Sequence, residues 1–87
     1  MNSSKLNIID IRSNSQYQQG HINNAINIPY ENLLYQPEKF LDKNKIYYIY
    51  CQYGTNSRFI KDKLLHLGYN IINISGGYNA YKNSSNL

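Results

Sequence analysis

Four short apolar runs constrain this chain more than any other feature. They are Asn7-Ile8-Ile9-Asp10-Ile11, Ala25-Ile26-Asn27-Ile28, Ile46-Tyr47-Tyr48-Ile49-Tyr50 and Ile71-Ile72-Asn73-Ile74. β-branched and aromatic side chains dominate them and none is long enough for a helix, so each reads as a strand. The intervening segments are helical in character. In residues 57–68, Ile60, Leu64 and Leu67 recur at i, i+4 and i+7 as one apolar stripe, with Phe59 beside it. Thr55, Asn56 and Ser57 are candidate N-caps for that helix, and Gly68 stands where a left-handed residue would end it. Shorter helices are predicted over 15–19, ended by Gly20, over 30–35, over 37–41 with Pro37 at its start, and from Tyr78 onward after Gly76-Gly77. Strands alternating with helices imply an α/β fold, a small open parallel sheet flanked by helices on both faces.

Length leaves room for one such unit. A chain of 87 residues supports a single compact core, expected over residues 5–83, with frayed tails at 1–4 and 83–87. Apolar residues make up 41% and charged ones 16%, a profile that argues against disorder. No run approaches the roughly 20 apolar residues of a membrane span, and the first ten residues lack the apolar stretch of a secretory signal. A cytoplasmic protein with no membrane partner is expected. The net charge of +4 favours small anionic ligands, but the nine Lys and Arg residues are scattered, so no nucleic-acid partner is expected. One cysteine and two histidines argue against a disulfide and a metal site. No cofactor is expected.

The segment Tyr48-Ile49-Tyr50-Cys51-Gln52-Tyr53-Gly54-Thr55-Asn56-Ser57-Arg58 carries the chemistry. It reads as strand, turn and helix, with Cys51 where the strand ends. Ligands of open α/β sheets bind at the carboxyl ends of strands. A helix N-terminus presents unpartnered N–H groups and a positive dipole end, which stabilise a bound oxyanion or a thiolate. Gly54 permits a turn with positive φ, so successive N–H groups can converge on one point. Two readings stand at this stage: an activated nucleophile, or an inert, buried small residue.

Further segments recur in an order that resembles the single-domain rhodaneses, a sulfurtransferase family, over nearly the whole chain. Ile9-Asp10-Ile11-Arg12 resembles the D-x-R strand end. Tyr17-Gln18-Gln19-Gly20-His21-Ile22 resembles Y-x-x-G-H-I, and Ala25-Ile26-Asn27-Ile28-Pro29 resembles A-x-N-I-P. The C-x-x-G-x-x-S run from Cys51 through Gly54 to Ser57 resembles the active loop. Leu67-Gly68-Tyr69 and Ser75-Gly76-Gly77-Tyr78, followed by Tyr81, resemble the closing elements. The resemblance implies that Cys51 takes a sulfane sulfur from a small anionic donor such as thiosulfate, or from a persulfide. It then passes that sulfur to cyanide or to a thiol or protein acceptor. Gln52, Tyr53, Gly54, Thr55, Asn56, Ser57 and Arg58 are the expected substrate-binding residues, through loop amides and rim, with Asp10 and Arg12 in support.

The departures concern substrate. Many rhodaneses carry arginines where Gln52 and Asn56 stand, so an anionic donor lacks two charge contacts, and Arg58 and Lys61 are the nearest replacements in sequence. Gln16 replaces a glutamate that could pair with Arg12, which leaves Asp10 as its expected partner. Tyr81 replaces a tryptophan and Asn24 a glycine. The first strand begins close to Met1, so the family's preceding strand and helix are expected to be missing and the fold is N-terminally short. His21 is expected to hydrogen-bond at its turn and His66 to be solvated. Asp10 either orients the active loop or caps a turn. Tyr47, Tyr48 and Tyr50 are expected to pack in the sheet, and Tyr53 to touch substrate or a partner. Two other functions share parts of this pattern. A cysteine phosphatase or arsenate reductase needs C-x5-R, where this chain has Ser57 at the arginine position and Arg58 one later. A non-catalytic docking or sulfur-relay module is the other.

Overall fold

The computed structural model describes residues 6–84. The strands are β1 (Asn7–Asp10), β2 (Ile26–Asn27), β3 (Ile46–Tyr50) and β4 (Asn70–Asn73), and the helices are α1 (Asn14–Gln19), α2 (Tyr30–Tyr35), α3 (Thr55–His66) and α4 (Gly77–Ser84). One 3-10 turn, Pro37–Lys39, occupies part of the predicted 37–41 helix. The four strands form one parallel sheet in the order β2-β1-β3-β4, with Asp10 registered against Tyr50 and Asn27.

Alternation along the strands divides the core between two faces. Ile9 and Ile11 join Tyr47, Ile49, Cys51 and Ile71 on one face, under Leu33 of α2 and Ile60 and Leu64 of α3. On the other, Ile8 and Tyr50 meet Tyr17 of α1, Ile22, Ala25, Ile74 and Tyr78 of α4. The sheet is therefore flanked on both faces, as the sequence pattern predicts. Three details differ. Leu67 is the C-cap residue beyond α3 and is 44% exposed, and Tyr69 takes the buried place. Phe59 lies about 100° around the helix from buried Ile60 and is exposed. Asn83 and Ser84, expected in a frayed tail, belong to α4, while residues 1–5 and 85–87 lie outside the described part.

The local substitutions have simple accounts. Asn24 sits at φ +72, a left-handed position that asparagine tolerates. Gln16 closes a capping box with Ser13 at the start of α1 instead of reaching Arg12. Tyr81 stacks on Tyr78 with ring centroids 6.0 Å apart. His21 stacks on Tyr17, and its Nδ1 is 2.8 Å from the Tyr17 carbonyl oxygen. His66 is exposed, and of the strand tyrosines Tyr47 and Tyr50 are buried and Tyr48 half-buried.

Candidate active site

The helix after Cys51 starts at Thr55, earlier than the residue 57 start and with none of the three predicted side-chain caps. Gly54 is the N-cap residue, left-handed at φ +98, and provides no side chain. The sulfur does the capping. Cys51 Sγ accepts the Gly54 amide at 3.1 Å and the Ser57 amide, third in the helix, at 3.4 Å. These are the N–H groups that a helix start leaves unpartnered. Positive φ favours glycine here, and a Cβ on Gly54 would also crowd the Gly76 nitrogen at 3.1 Å.

The loop is held from behind by a second helix start. The Tyr78 and Asn79 amides of α4 donate to the Cys51 and Gln52 carbonyls, each at 2.9 Å. Gly77 lies directly against the Cys51 carbonyl, where any Cβ would collide. With its carbonyls bound on the α4 side, the loop's amides are left to turn toward the sulfur. Burial pushes the Cys51 thiol up. Hydrogen bonds around the sulfur, at Ser57, Gly54 and Tyr53, outweigh it, and the net shift is downward from the ordinary thiol value. Cys51 is 6% exposed.

Asp10 and Arg12 form the neighbouring cluster. Arg12 Nη2 lies 2.7 Å from Asp10 Oδ2, and Nε reaches both carboxylate oxygens at 3.1 Å. Tyr50 donates its hydroxyl to Asp10 Oδ2 at 2.6 Å and accepts the Ile22 amide at 3.0 Å. Burial and the Asp10 contact push the Tyr50 phenol far up, so it stays a donor. The remaining guanidinium protons serve the loops: Nη1 donates to Gln52 Oε1 at 3.0 Å and Nη2 also to the Gly20 carbonyl at 2.6 Å. Asp10 thus reaches the active loop through Arg12, and its Oδ1 also accepts the Arg12 amide as a turn cap.

Two clefts flank the loop. One, of about 410 Å³, is lined by Cys51, Gln52, Tyr53, Thr55 and Asn56 together with Arg12, Tyr30 and Glu31. The other, of about 620 Å³, lies across the loop and takes Gly54, Arg58, Phe59, Asp62 and Asn73, sharing Tyr53 and Thr55 with the first. Ser57 is fully buried beneath the loop. The structure therefore brings all the expected loop residues around Cys51 except Arg58, which is exposed on the far side. Lys61 pairs with Asp62 at 3.0 Å. Neither basic residue lines the first cleft.

The residues that sequence reasoning missed are Tyr50 as a hydroxyl bridge, Gly77 and Tyr78 as loop supports, and Asn73, whose Oδ1 accepts the Ser57 hydroxyl at 2.5 Å. The Gly-Gly-Tyr run was a visible signal for the supports. Nothing local pointed to Asn73 or to the Tyr50 hydroxyl, since each acts on a residue at least 16 positions away. Among the described residues no cluster of His, Cys, Asp or Glu could hold a metal, and no helix is long and apolar enough to cross a membrane.

Comparison with known proteins agrees with this architecture. A thiosulfate sulfurtransferase, PspE, of Escherichia coli is 37% identical over 70 residues, which is 79% of this chain and 67% of that protein. A probable molybdopterin-synthase adenylyltransferase of Porphyra purpurea is 30% identical over 94% of this chain, which spans only 22% of that longer protein. A crystal structure of a rhodanese-related protein from Thermoplasma volcanium superposes with a TM-score of 0.82 at 30% identity, covering 91% of this chain and 78% of that one. Residues 1–84 match the rhodanese-like domain family. With strand order, active loop and Asp-x-Arg pair all in place, the chain belongs to the rhodanese-like domain family.

Proposed function

We propose that this chain is a rhodanese-type sulfurtransferase working through a persulfide on Cys51. The observation that supports it is the cradle of main-chain amides around a sulfur whose acidity is raised, at the mouth of an open cleft. The Cys51 thiolate attacks the outer sulfur of the donor. A Cys51–S bond forms, the donor's S–S bond breaks, and sulfite (from thiosulfate) or a thiolate (from a persulfide) leaves with the bonding pair. An acceptor thiolate or cyanide then attacks the outer sulfur, and the Cys51 thiolate is released, a ping-pong sequence. Gln52, Tyr53, Gly54, Thr55, Asn56 and Ser57 surround the transferred sulfur. Asp10 and Arg12 hold Gln52. A reducing, cytoplasmic setting belongs to this reading, because a lone free thiol has to persist.

The charge around the cleft bears on the donor. Asp10 neutralises Arg12, Gln52 and Asn56 are neutral, and the other charged residue lining the cleft is Glu31. A persulfide donor suits this cleft better than doubly charged thiosulfate. Mass spectrometry after incubation with thiosulfate or a small alkyl persulfide tests the reading. One added sulfur atom on Cys51, absent in Cys51→Ser, supports it. An unmodified thiol under every donor sinks it in favour of a docking module, the second reading that the 69% exposed Tyr53 ring on the loop keeps in play.

A further inference from the structure

The Ser57 hydroxyl has two claimants and one proton. Its oxygen lies 2.5 Å from Asn73 Oδ1 and 3.4 Å from Cys51 Sγ. A carbonyl oxygen only accepts, so Ser57 donates to Asn73. The thiol can then donate its own proton to the Ser57 lone pair, and the chain runs sulfur to serine to asparagine. Once the thiol proton has left to solvent through the cleft, the same lone pair faces a thiolate and repels it. Ser57 can stabilise the thiolate only by turning its proton away from Asn73.

We propose that Asn73 is a positioning residue that holds the Ser57 hydroxyl turned away from Cys51, so that the sulfur meets a lone pair while Asn73 keeps the proton and a donor once Asn73 releases it. The amides of Gly54 and Ser57 are fixed by the backbone, whereas this hydroxyl is a donor that can rotate. Asn73 ends β4 and lines the cleft opposite the one that opens on Cys51. Its hold on Ser57 can therefore change without obstructing the donor. The inference deepens the nucleophile reading above and rests on it for its functional meaning only.

The test follows the pH dependence of Cys51 alkylation by iodoacetamide in the full chain, with melting temperature as a check on folding. Charged or titratable groups near the loop are Asp10 at the end of β1 and Arg12 just beyond it, Tyr30 and Glu31 on α2, Tyr53 in the loop, and Arg58 and Asp62 on α3. They are common to parent and variants. Asn73→Ala is expected to free the hydroxyl and raise the thiolate fraction at neutral pH severalfold. Ser57→Ala removes the lone pair to which the thiol donates and is expected to raise the fraction by less than Asn73→Ala does. The double variant is expected to match Ser57→Ala, because Asn73 acts only through Ser57. Asn73→Leu, which fills the space without accepting, provides the same reading should the alanine variant fold poorly. An Asn73→Ala effect no larger than that of Ser57→Ala, or an Asn73 effect that persists without Ser57, overturns the proposal. Alkylation reads the thiol itself, so a chain that never loads sulfur would refute the sulfurtransferase reading and leave this result intact.

Discussion

Two polar clusters stand side by side at the carboxyl ends of β1 and β3, and they are made of different materials. Around Cys51 the donors are main-chain amides of a tight turn and a helix start. Around Asp10 they are side chains, the Arg12 guanidinium and the Tyr50 phenol, with the Arg12 amide added. The first cluster opens on a cleft, and the second pairs a carboxylate that is 0% exposed with an arginine that is 7% exposed. Fixed amides can stabilise a charge that comes and goes, because they bring no charge of their own and need no counterion. A buried full charge has to be matched permanently. One cluster is suited to chemistry and the other to holding the loop in register.

Substitutions can break this contrast. Cys51→Ser is expected to abolish persulfide formation while leaving the melting temperature nearly unchanged, since the swap is close to isosteric. It should also remove a slope in stability. The folded thiol ionises below the unfolded one, so the parent gains stability as pH rises between the two midpoints and loses it as pH falls through the folded one. Urea unfolding across pH reads both effects. Asp10→Asn is expected to cost about 3–5 kcal/mol in the same assay, because it leaves Arg12 buried without its counter-charge. A much smaller loss would mean that the cluster does not hold the fold.

Gly54→Val probes the cradle through its backbone. Strain at φ +98 is expected to cost about 1–3 kcal/mol, and Cys51 alkylation should slow toward that of a free thiol. Full alkylation reactivity in a folded variant would show that the turn does not set the cradle. Asn56→Arg sharpens the contrast by adding a charge to the open side. Thiosulfate kcat/KM is expected to rise about threefold to fivefold, within the ~1 kcal/mol of one exposed charge pair, with little change for a neutral persulfide. Equal gains with both donors would mean that charge does not select between them.

Much of this was legible in the residues. The four apolar runs became the four strands, Gly68 ends α3, and the Asp10–Arg12 pair follows from two positions on one strand end. Local chemistry sufficed because the signals lie within a turn or a strand. It failed where phase or distance mattered. Arg58 is one residue from buried Ser57, yet that step around the helix carries it to the far cleft. The three polar residues Thr55, Asn56 and Ser57 all looked like caps, but the cap came from a sulfur four to six positions earlier in the chain. Asn73 and the Tyr50 hydroxyl carried no periodic or turn signal, so only the packed sheet reveals them.

By itself, the sequence determined the alternation of strands and helices and the place of a cysteine between a strand and a helix start. Those features depend on side-chain shape, periodicity and glycine, which act over a few residues. Tertiary structure alone decided which groups converge on that cysteine: amides of α4 on the loop's carbonyls, Asn73 on Ser57, and Arg12 on Gln52. Hydrogen bonds and charges act over a few ångströms, and only a parallel sheet that aligns its strand ends brings these distant residues that close.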